Sequence, residues 1–167
     1  MTAGVSAYVG LGSNLESPML QIASALTAIA ALPETTLDRC SSLYRTAPVG
    51  LAGQPDFVNA VARLVTGLEP RALLDALLEI ERDHGRVRTA RNGPRTLDLD
   101  LLIHGDADLD EVGLQVPHPR LAERAFVLVP LAEIAPGLLL ADGRNVRDVA
   151  AKLATAQRIE RIEDGLA

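Results

Sequence analysis

Thr96-Leu97-Asp98-Leu99-Asp100-Leu101-Leu102-Ile103 alternates apolar and acidic side chains through its first half. Period two marks a half-buried β-strand, because successive Cβ atoms point to opposite faces of a sheet. Leu97, Leu99, Leu101 and Ile103 are expected to face a core, with Asp98 and Asp100 on the opposite side. This strand is the last of six periodic segments. Val5, Ala7, Val9 and Leu11 alternate and predict a first strand closing at Gly10 and Gly12. Ser17-Pro18 reads as an N-cap followed by proline at the first helical position, and Met19, Ile22, Leu26 and Ile29 continue at helical spacing until Pro33. A second strand is expected over 35–46, a Pro- and Gly-containing loop over 47–56, and a third strand over 57–66. Pro70 opens a second helix with Leu73, Leu77 and Ile80 on one face, stopping near His84-Gly85. The order β-α-β-β-α-β predicts an α+β protein with a ferredoxin-like antiparallel sheet and two helices on one face. Additional C-terminal helices are expected near 129–135 and 146–153.

A chain of 167 residues suits one domain spanning 1–167. With 48% hydrophobic residues it has the material for a core, so disorder is excluded. A net charge of −6 disfavours nucleic acid as the main partner. No apolar stretch reaches the ~20 residues of a membrane helix, and the first residues lack the pattern of a secretory signal. Cys40 is the single cysteine and fits a reducing compartment. The expectation is a cytoplasmic monomer with no membrane partner. All but one of the 16 basic residues are arginine, and the aromatics are only Tyr8, Tyr44, Phe57 and Phe126.

The chemistry concentrates around the acidic strand. Asp98 and Asp100 repel each other unless a cation lies between them, their Cα atoms being roughly 6.5–7 Å apart in a strand. Oxygen donors favour a hard ion, typically Mg²⁺ shared with phosphates. Two acids on a solvated strand is the plainer alternative for a bare Asp-x-Asp. The neighbours favour the metal: Arg86, Arg88, Arg91 and Arg95 run into the strand with no intervening acid. Guanidinium forks bind phosphate oxygens in pairs and stay charged at working pH. Gly10-Leu11-Gly12-Ser13-Asn14 lacks the lysine of a phosphate loop and the third glycine of a dinucleotide fingerprint, and reads as a tight strand-to-helix connection. Phe57 and Asn59 share a strand face, where a ring stacks on a flat heterocycle and an amide reads its edge, although burial in the core is the ordinary fate of Phe. The same holds for Phe126. His118, between two prolines, suits a phosphate donor or a simple turn residue.

Taken together, YVGLGSN (8–14), SSLYRTAPVG (41–50), QPDFVNAV (54–61), GRVR (85–88), GPRTLDLDLL (93–102), VPHP (116–119) and RAFVLVPLAEIAP (124–136) resemble the 6-hydroxymethyl-7,8-dihydropterin pyrophosphokinase family of the folate pathway, in order and over nearly the whole chain. The resemblance implies that ATP and the reduced pterin bind together, that the pterin hydroxymethyl oxygen attacks the β-phosphorus, and that AMP leaves. It implies two Mg²⁺ ions on Asp98 and Asp100, with Arg86 and Arg95 on the polyphosphate and Arg88 and Arg91 in a catalytic loop. Glu81, Arg88, Leu101, His118 and Arg124 match positions around the nucleotide. Thr46, Val49, Phe57, Asn59 and Phe126 match the pterin pocket, with the two phenylalanines sandwiching the ring. Asn92 stands where some members carry tryptophan, and Phe57 where others carry tyrosine. Two other functions fit the element order less well. A ferredoxin-like RNA-binding or regulatory module would want more exposed aromatics and a basic surface. A two-metal nucleotidyl transferase would release pyrophosphate instead of AMP.

Overall fold

The computed structural model describes residues 4–14, 17–47, 56–85 and 97–162. The elements in chain order are β1 (Val5–Ser13), α1 (Pro18–Ala30), β2 (Thr35–Cys40), β3 (Tyr44–Thr46), β4 (Phe57–Thr66), α2 (Pro70–Asp83), β5 (Asp98–His104), β6 (Leu109–Glu111), β7 (Leu114–Val116), a 3₁₀ turn (Leu121–Glu123), α3 (Ala125–Ile134), α4 (Val146–Ala156) and β8 (Ile159–Arg161). The main sheet is antiparallel with order β5-β1-β4-β3-β8, and β2 also pairs with β4. β6 and β7 form a separate hairpin. The protein is α+β, with an antiparallel sheet and four α-helices among the described residues.

β2 and β3 are one expected strand, interrupted by Ser41. The Ser41 N–H donates to the Val61 carbonyl at 2.9 Å, and its hydroxyl accepts the Val61 N–H, also at 2.9 Å. A side-chain oxygen thus replaces a backbone carbonyl in the ladder, and both halves still pair with β4.

Each face of the sheet has its own core. On one side Ala7, Val9, Leu11, Val58, Ala60, Ala62, Leu64, Leu97, Leu99 and Leu101 meet Ile22, Ala25, Leu26 and Ile29 of α1 and Leu73, Leu77 and Ile80 of α2. The helical positions recur at three- and four-residue intervals, which gives each helix one apolar stripe. On the other side Tyr8, Val61 and Leu102 meet Val127, Leu128, Leu131 and Ile134 of α3 and Val146, Val149 and Ala150 of α4. Fully burying one such aliphatic side chain is worth about 1.5–3 kcal/mol, so both layers contribute to holding the sheet between them.

Leu102 belongs to the second core by alternation with Asp98 and Asp100, and the strand becomes irregular just after it. The β1–β5 register shifts between Tyr8 and Val9, so β5 carries one extra residue. Strict alternation therefore ends at Leu102: Ile103, expected beside Leu97, Leu99 and Leu101, packs instead against the second core that buries Leu102. Two further expectations are corrected. β1 runs through Gly10 and Gly12 to Ser13, so these glycines are strand residues and not a turn. Ser17 does occupy the N-cap of α1, but at φ 60° and with no side-chain cap hydrogen bond; its carbonyl takes the Leu20 and Gln21 N–H groups instead.

Candidate active site

Opposed residues in an antiparallel pair share a face. Gly12 lies opposite both Asn59 of β4 and Asp98 of β5, and Gly10 opposite both Val61 and Asp100. Phe57 lies opposite Thr46, and Asn59 opposite Tyr44. One face therefore carries, from edge to centre, Asp98 and Asp100, then Gly10 and Gly12, then Phe57 and Asn59, then Thr46. α3 and α4 cover this face at Tyr8, Val61 and Leu102. The residues nearer the Gly12 end of the strands lie beyond that cover, and the N-terminus of α3 brings Arg124 and Phe126 to its border.

The two glycines explain how a flat floor forms here. A Cβ on Gly12 would come within 2.9 Å of Asn59 Oδ1, so the Asn59 side chain lies across the space a larger residue would fill. Asn59 is buried, and its Nδ2 donates to Thr46 Oγ1 at 2.7 Å. That bond uses one of the carboxamide's hydrogen-bonding positions; Oδ1 and the second N–H have no partner among the described residues. Buried polar atoms are normally satisfied, so an amide edge held this way suits a polar ligand edge. Phe57 and Phe126 are half-buried, and the Arg124 guanidinium lies 5.4 Å from the Phe126 ring centroid. That distance is within cation–π range.

Asp98 and Asp100 are both half-buried on this face, between leucines buried on the other. Their chemistry fits Mg²⁺: two carboxylates supply hard oxygen donors, and Mg²⁺ is usually held by one or two carboxylates plus substrate phosphates. Among the described residues no group of three or more His, Cys, Asp or Glu forms a self-sufficient metal cage. The donor set thus suits an ion shared with a phosphate ligand.

β5 is the sheet edge, and its outer side borders a cavity of about 660 Å³. Leu74, Leu78, Leu101 and Leu114 give it apolar walls, while Glu81, Asp100 and His118 supply polar groups. Glu81 is buried on α2, and its Oε2 accepts the Leu99 N–H at 2.7 Å. It thereby holds α2 to the strand that carries both aspartates. The two-residue period places the Leu101 backbone on the same outer edge as that of Leu99. His118 donates its N–H to the Leu102 carbonyl at 2.8 Å, and its Nδ1 accepts the Arg120 N–H at 3.1 Å. Burial, and then the charge of Arg124, pull the imidazole below its ordinary range against the opposing charge of Asp98. His118 is therefore neutral at pH 7, with its proton on Nε2.

The structure brings together Thr46, Phe57, Asn59, Asp98 and Asp100 on one sheet face, and Glu81, Leu101 and His118 around the adjoining cavity, while Phe126 packs from α3 onto the core that covers that face. Arg124 joins them beside Phe126. Val49, Arg86, Arg88, Arg91 and Arg95 lie outside the described residues. Sequence reasoning missed the role of Gly12, whose signal was its place in an alternating strand two residues from another glycine. Burial, helped by the Glu133 charge, pushes the Cys40 thiol up to about 11.

Comparison with known proteins points the same way. The family model for 7,8-dihydro-6-hydroxymethylpterin-pyrophosphokinase matches residues 8–136. A Pseudomonas aeruginosa protein named 2-amino-4-hydroxy-6-hydroxymethyldihydropteridine pyrophosphokinase is 55% identical over 86% of this chain and 89% of its own. A Haemophilus influenzae protein of the same name is 44% identical over 93% of this chain and 98% of its own. Among solved structures, wild-type Plasmodium falciparum HPPK-DHPS superimposes with a TM-score of 0.72 at 13% identity over 92% of this chain. This chain spans 45% of that longer one, and the likeness speaks for the fold. With the matched region running from the glycine strand through the acidic pair to the end of α3, the chain belongs to the 7,8-dihydro-6-hydroxymethylpterin-pyrophosphokinase family.

Proposed function

We propose that the acidic pair and the aromatic cluster are the two halves of one active site, with Asp98 and Asp100 at the ATP polyphosphate and Thr46, Phe57, Asn59 and Phe126 around the pterin. The chain is an ATP-dependent pyrophosphokinase of folate biosynthesis: it transfers pyrophosphate from ATP to the hydroxymethyl group of 6-hydroxymethyl-7,8-dihydropterin. The observation that carries the site is the register that sets Asp98, Gly12 and Asn59 side by side on one face. The glycine lets the Asn59 carboxamide lie across the strand between a phosphate-binding edge and a heterocycle-binding wall. This family assignment disfavours the RNA-binding and nucleotidyl-transfer alternatives.

In the reaction the pterin hydroxymethyl oxygen forms a bond to the β-phosphorus, the bond from the β-phosphorus to the α–β bridging oxygen breaks, and AMP departs. The hydroxymethyl proton is lost to the surroundings. Transfer of this kind needs alignment and charge neutralisation more than covalent help. Asn59 and Thr46 fix the pterin edge, and Phe57 and Phe126 hold the ring plane. The cavity beside β5 takes the nucleoside, with Leu101 and the leucine walls against the base and neutral His118 donating from Nε2 toward phosphate. Arg124 stands between the two substrates, with no hydrogen-bond partner on its guanidinium among the described residues. By resemblance, Arg86 and Arg95 neutralise the polyphosphate, Arg88 and Arg91 act in the catalytic loop, and Val49 lines the pterin pocket. Asp98 and Asp100 would hold the Mg²⁺, two ions by resemblance, which would supply charge neutralisation on the phosphate oxygens.

Residues 1–167 act as one domain. The strand order β5-β1-β4-β2 with α1 and α2 on one face supports the ferredoxin-like description, to which α3 and α4 add a layer on the other. No helix among the described residues is long and apolar enough to cross a membrane. The net charge of −6 supports small-molecule substrates without nucleic acid, and we place the protein in the cytoplasm as a monomer. A product assay tests the reaction: protein, MgATP and 6-hydroxymethyl-7,8-dihydropterin, with nucleotides separated by chromatography. Pterin-dependent AMP is expected. Pterin-dependent ADP would place the attack at the wrong phosphorus, and no pterin-dependent product would remove the pterin from the account.

A further inference from the structure

Gln157 ends α4, and its side chain reaches 32 and 34 residues back to the joint between the 3₁₀ turn and α3. Oε1 accepts the Ala125 N–H at 2.9 Å, and Nε2 donates to the Glu123 carbonyl at 2.8 Å. These two groups flank one residue, Arg124. The first N–H groups of a helix have no intrahelical acceptor and must find one elsewhere. Arg124 is the N-cap of α3, with extended backbone (φ −120°, ψ 115°) and no side-chain cap hydrogen bond. Gln157 supplies what that cap lacks. A carboxamide carries its acceptor and donor in one plane, as a peptide group does, so Gln157 pairs with the chain on both sides of Arg124 much as a neighbouring strand would.

The consequence falls on two side chains. Holding both flanking peptides fixes the exit of Arg124, whose guanidinium lies over Phe126, and the start of the helix that carries Phe126. Two residues past Gln157, Ile159 opens β8 opposite Thr46, which itself faces Phe57. One short C-terminal segment therefore ties the Arg124–Phe126 border of the site to its Thr46–Phe57 wall.

We propose that Gln157 is a positioning residue that holds Phe126 in place against the pterin, with Arg124 stacked on its ring. The proposal rests on the reading of Arg124 and Phe126 as substrate-facing residues.

The test is steady-state kinetics on the full chain at saturating MgATP, with thermal unfolding measured alongside. Gln157→Ala is expected to raise the pterin KM about tenfold, the scale of one to two net hydrogen bonds, with kcat changed less than about twofold. Gln157→Glu keeps the acceptor for Ala125 and loses the donor to Glu123; it should fall between, and it carries the test if the alanine variant does not fold. On a Phe126→Ala background the Gln157 substitution should add less than about twofold, because both act on one contact. A wild-type KM in the Gln157 variants while Phe126→Ala raises it would overturn the proposal and leave the site reading intact. So would an effect that multiplies in full onto Phe126→Ala, or a lowered unfolding temperature with no change in KM. An unchanged KM in Phe126→Ala itself would overturn the site reading, and the positioning role with it.

Discussion

Asn59 and Gly12 stand opposite each other on β4 and β1, and the Asn59 carboxamide oxygen lies 2.9 Å from where a Cβ on residue 12 would sit. No ordinary contact is that short, so Gly12→Ala must push the carboxamide aside and disturb its 2.7 Å bond to Thr46. The expected cost is about 1–3 kcal/mol of stability, as for other overpacked sites, together with a rise of about tenfold in pterin KM. Gly10→Ala meets only the Leu102 side chain, at 3.6 Å, and should leave the unfolding temperature nearly unchanged. Thermal melts and pterin titrations of the two variants check the contrast.

Glu133 joins α3 to the β2–β3 break. Its carboxylate accepts the Ser42 N–H at 3.0 and 3.1 Å, the Ser42 hydroxyl at 2.9 Å and the Tyr44 hydroxyl at 2.5 Å. Burial alone would raise its pKa, but the bonds from Tyr44 and Ser42, with the Arg161 charge, outweigh burial and hold it below 4.5. A carboxylate depressed in the folded state contributes stability that is fully present above the unfolded value and is lost as pH falls through the folded one. Stability should thus drop on acidification below about pH 4.5, and Glu133→Gln should flatten that part of the curve while costing about 1 kcal/mol at pH 7. Urea unfolding at several pH values measures both, and an unchanged acid limb in the variant would contradict this role.

His118 offers a pH signature of the cavity beside β5. Its folded-state pKa lies below the ordinary 6.5. The unfolded chain therefore binds the proton more readily, so this group's stability contribution is present above pH 6.5 and is lost as pH falls through the lower folded value. Imidazole NMR titration of the ligand-free protein should give a midpoint below 6.5 for His118, and Arg124→Ala should move it upward by removing a repelling charge. A midpoint at or above 6.5 would place His118 in a different environment.

Much of the fold was legible because period and punctuation agreed. Pro70 and His84-Gly85 bracket α2, which runs Pro70–Asp83, and β4 spans the expected 57–66. Gly85 at φ +74° is the left-handed residue that the stop required. The misses have physical reasons. α3 begins at Ala125, earlier than the expected 129, since a helix that is apolar nearly all round and contains Pro130 shows no period to read. β6, β7 and β8 are three residues each, too short for alternation to register. The extra residue in β5 cannot be seen in a string of apolar letters, yet it decides which core receives Ile103. At the site, residue types on single strands foretold Asp98 with Asp100 and Phe57 with Asn59. Their meeting across Gly12 depends on strand order and register, which composition does not carry.

Asp98 and Asp100, in the proposed site, hold the metal-bound polyphosphate beside the pterin wall. Pterin-dependent AMP formation should be measured across a Mg²⁺ titration in wild type, Asp98→Asn and Asp100→Asn, with pterin binding followed in parallel. Each variant should lose at least about 100-fold in turnover, equivalent to about 3 kcal/mol of lost charge stabilisation, and should need more Mg²⁺ for what remains. Pterin affinity through Phe57, Asn59 and Phe126 should fall far less. Near-normal turnover and Mg²⁺ dependence in either variant would contradict the assignment.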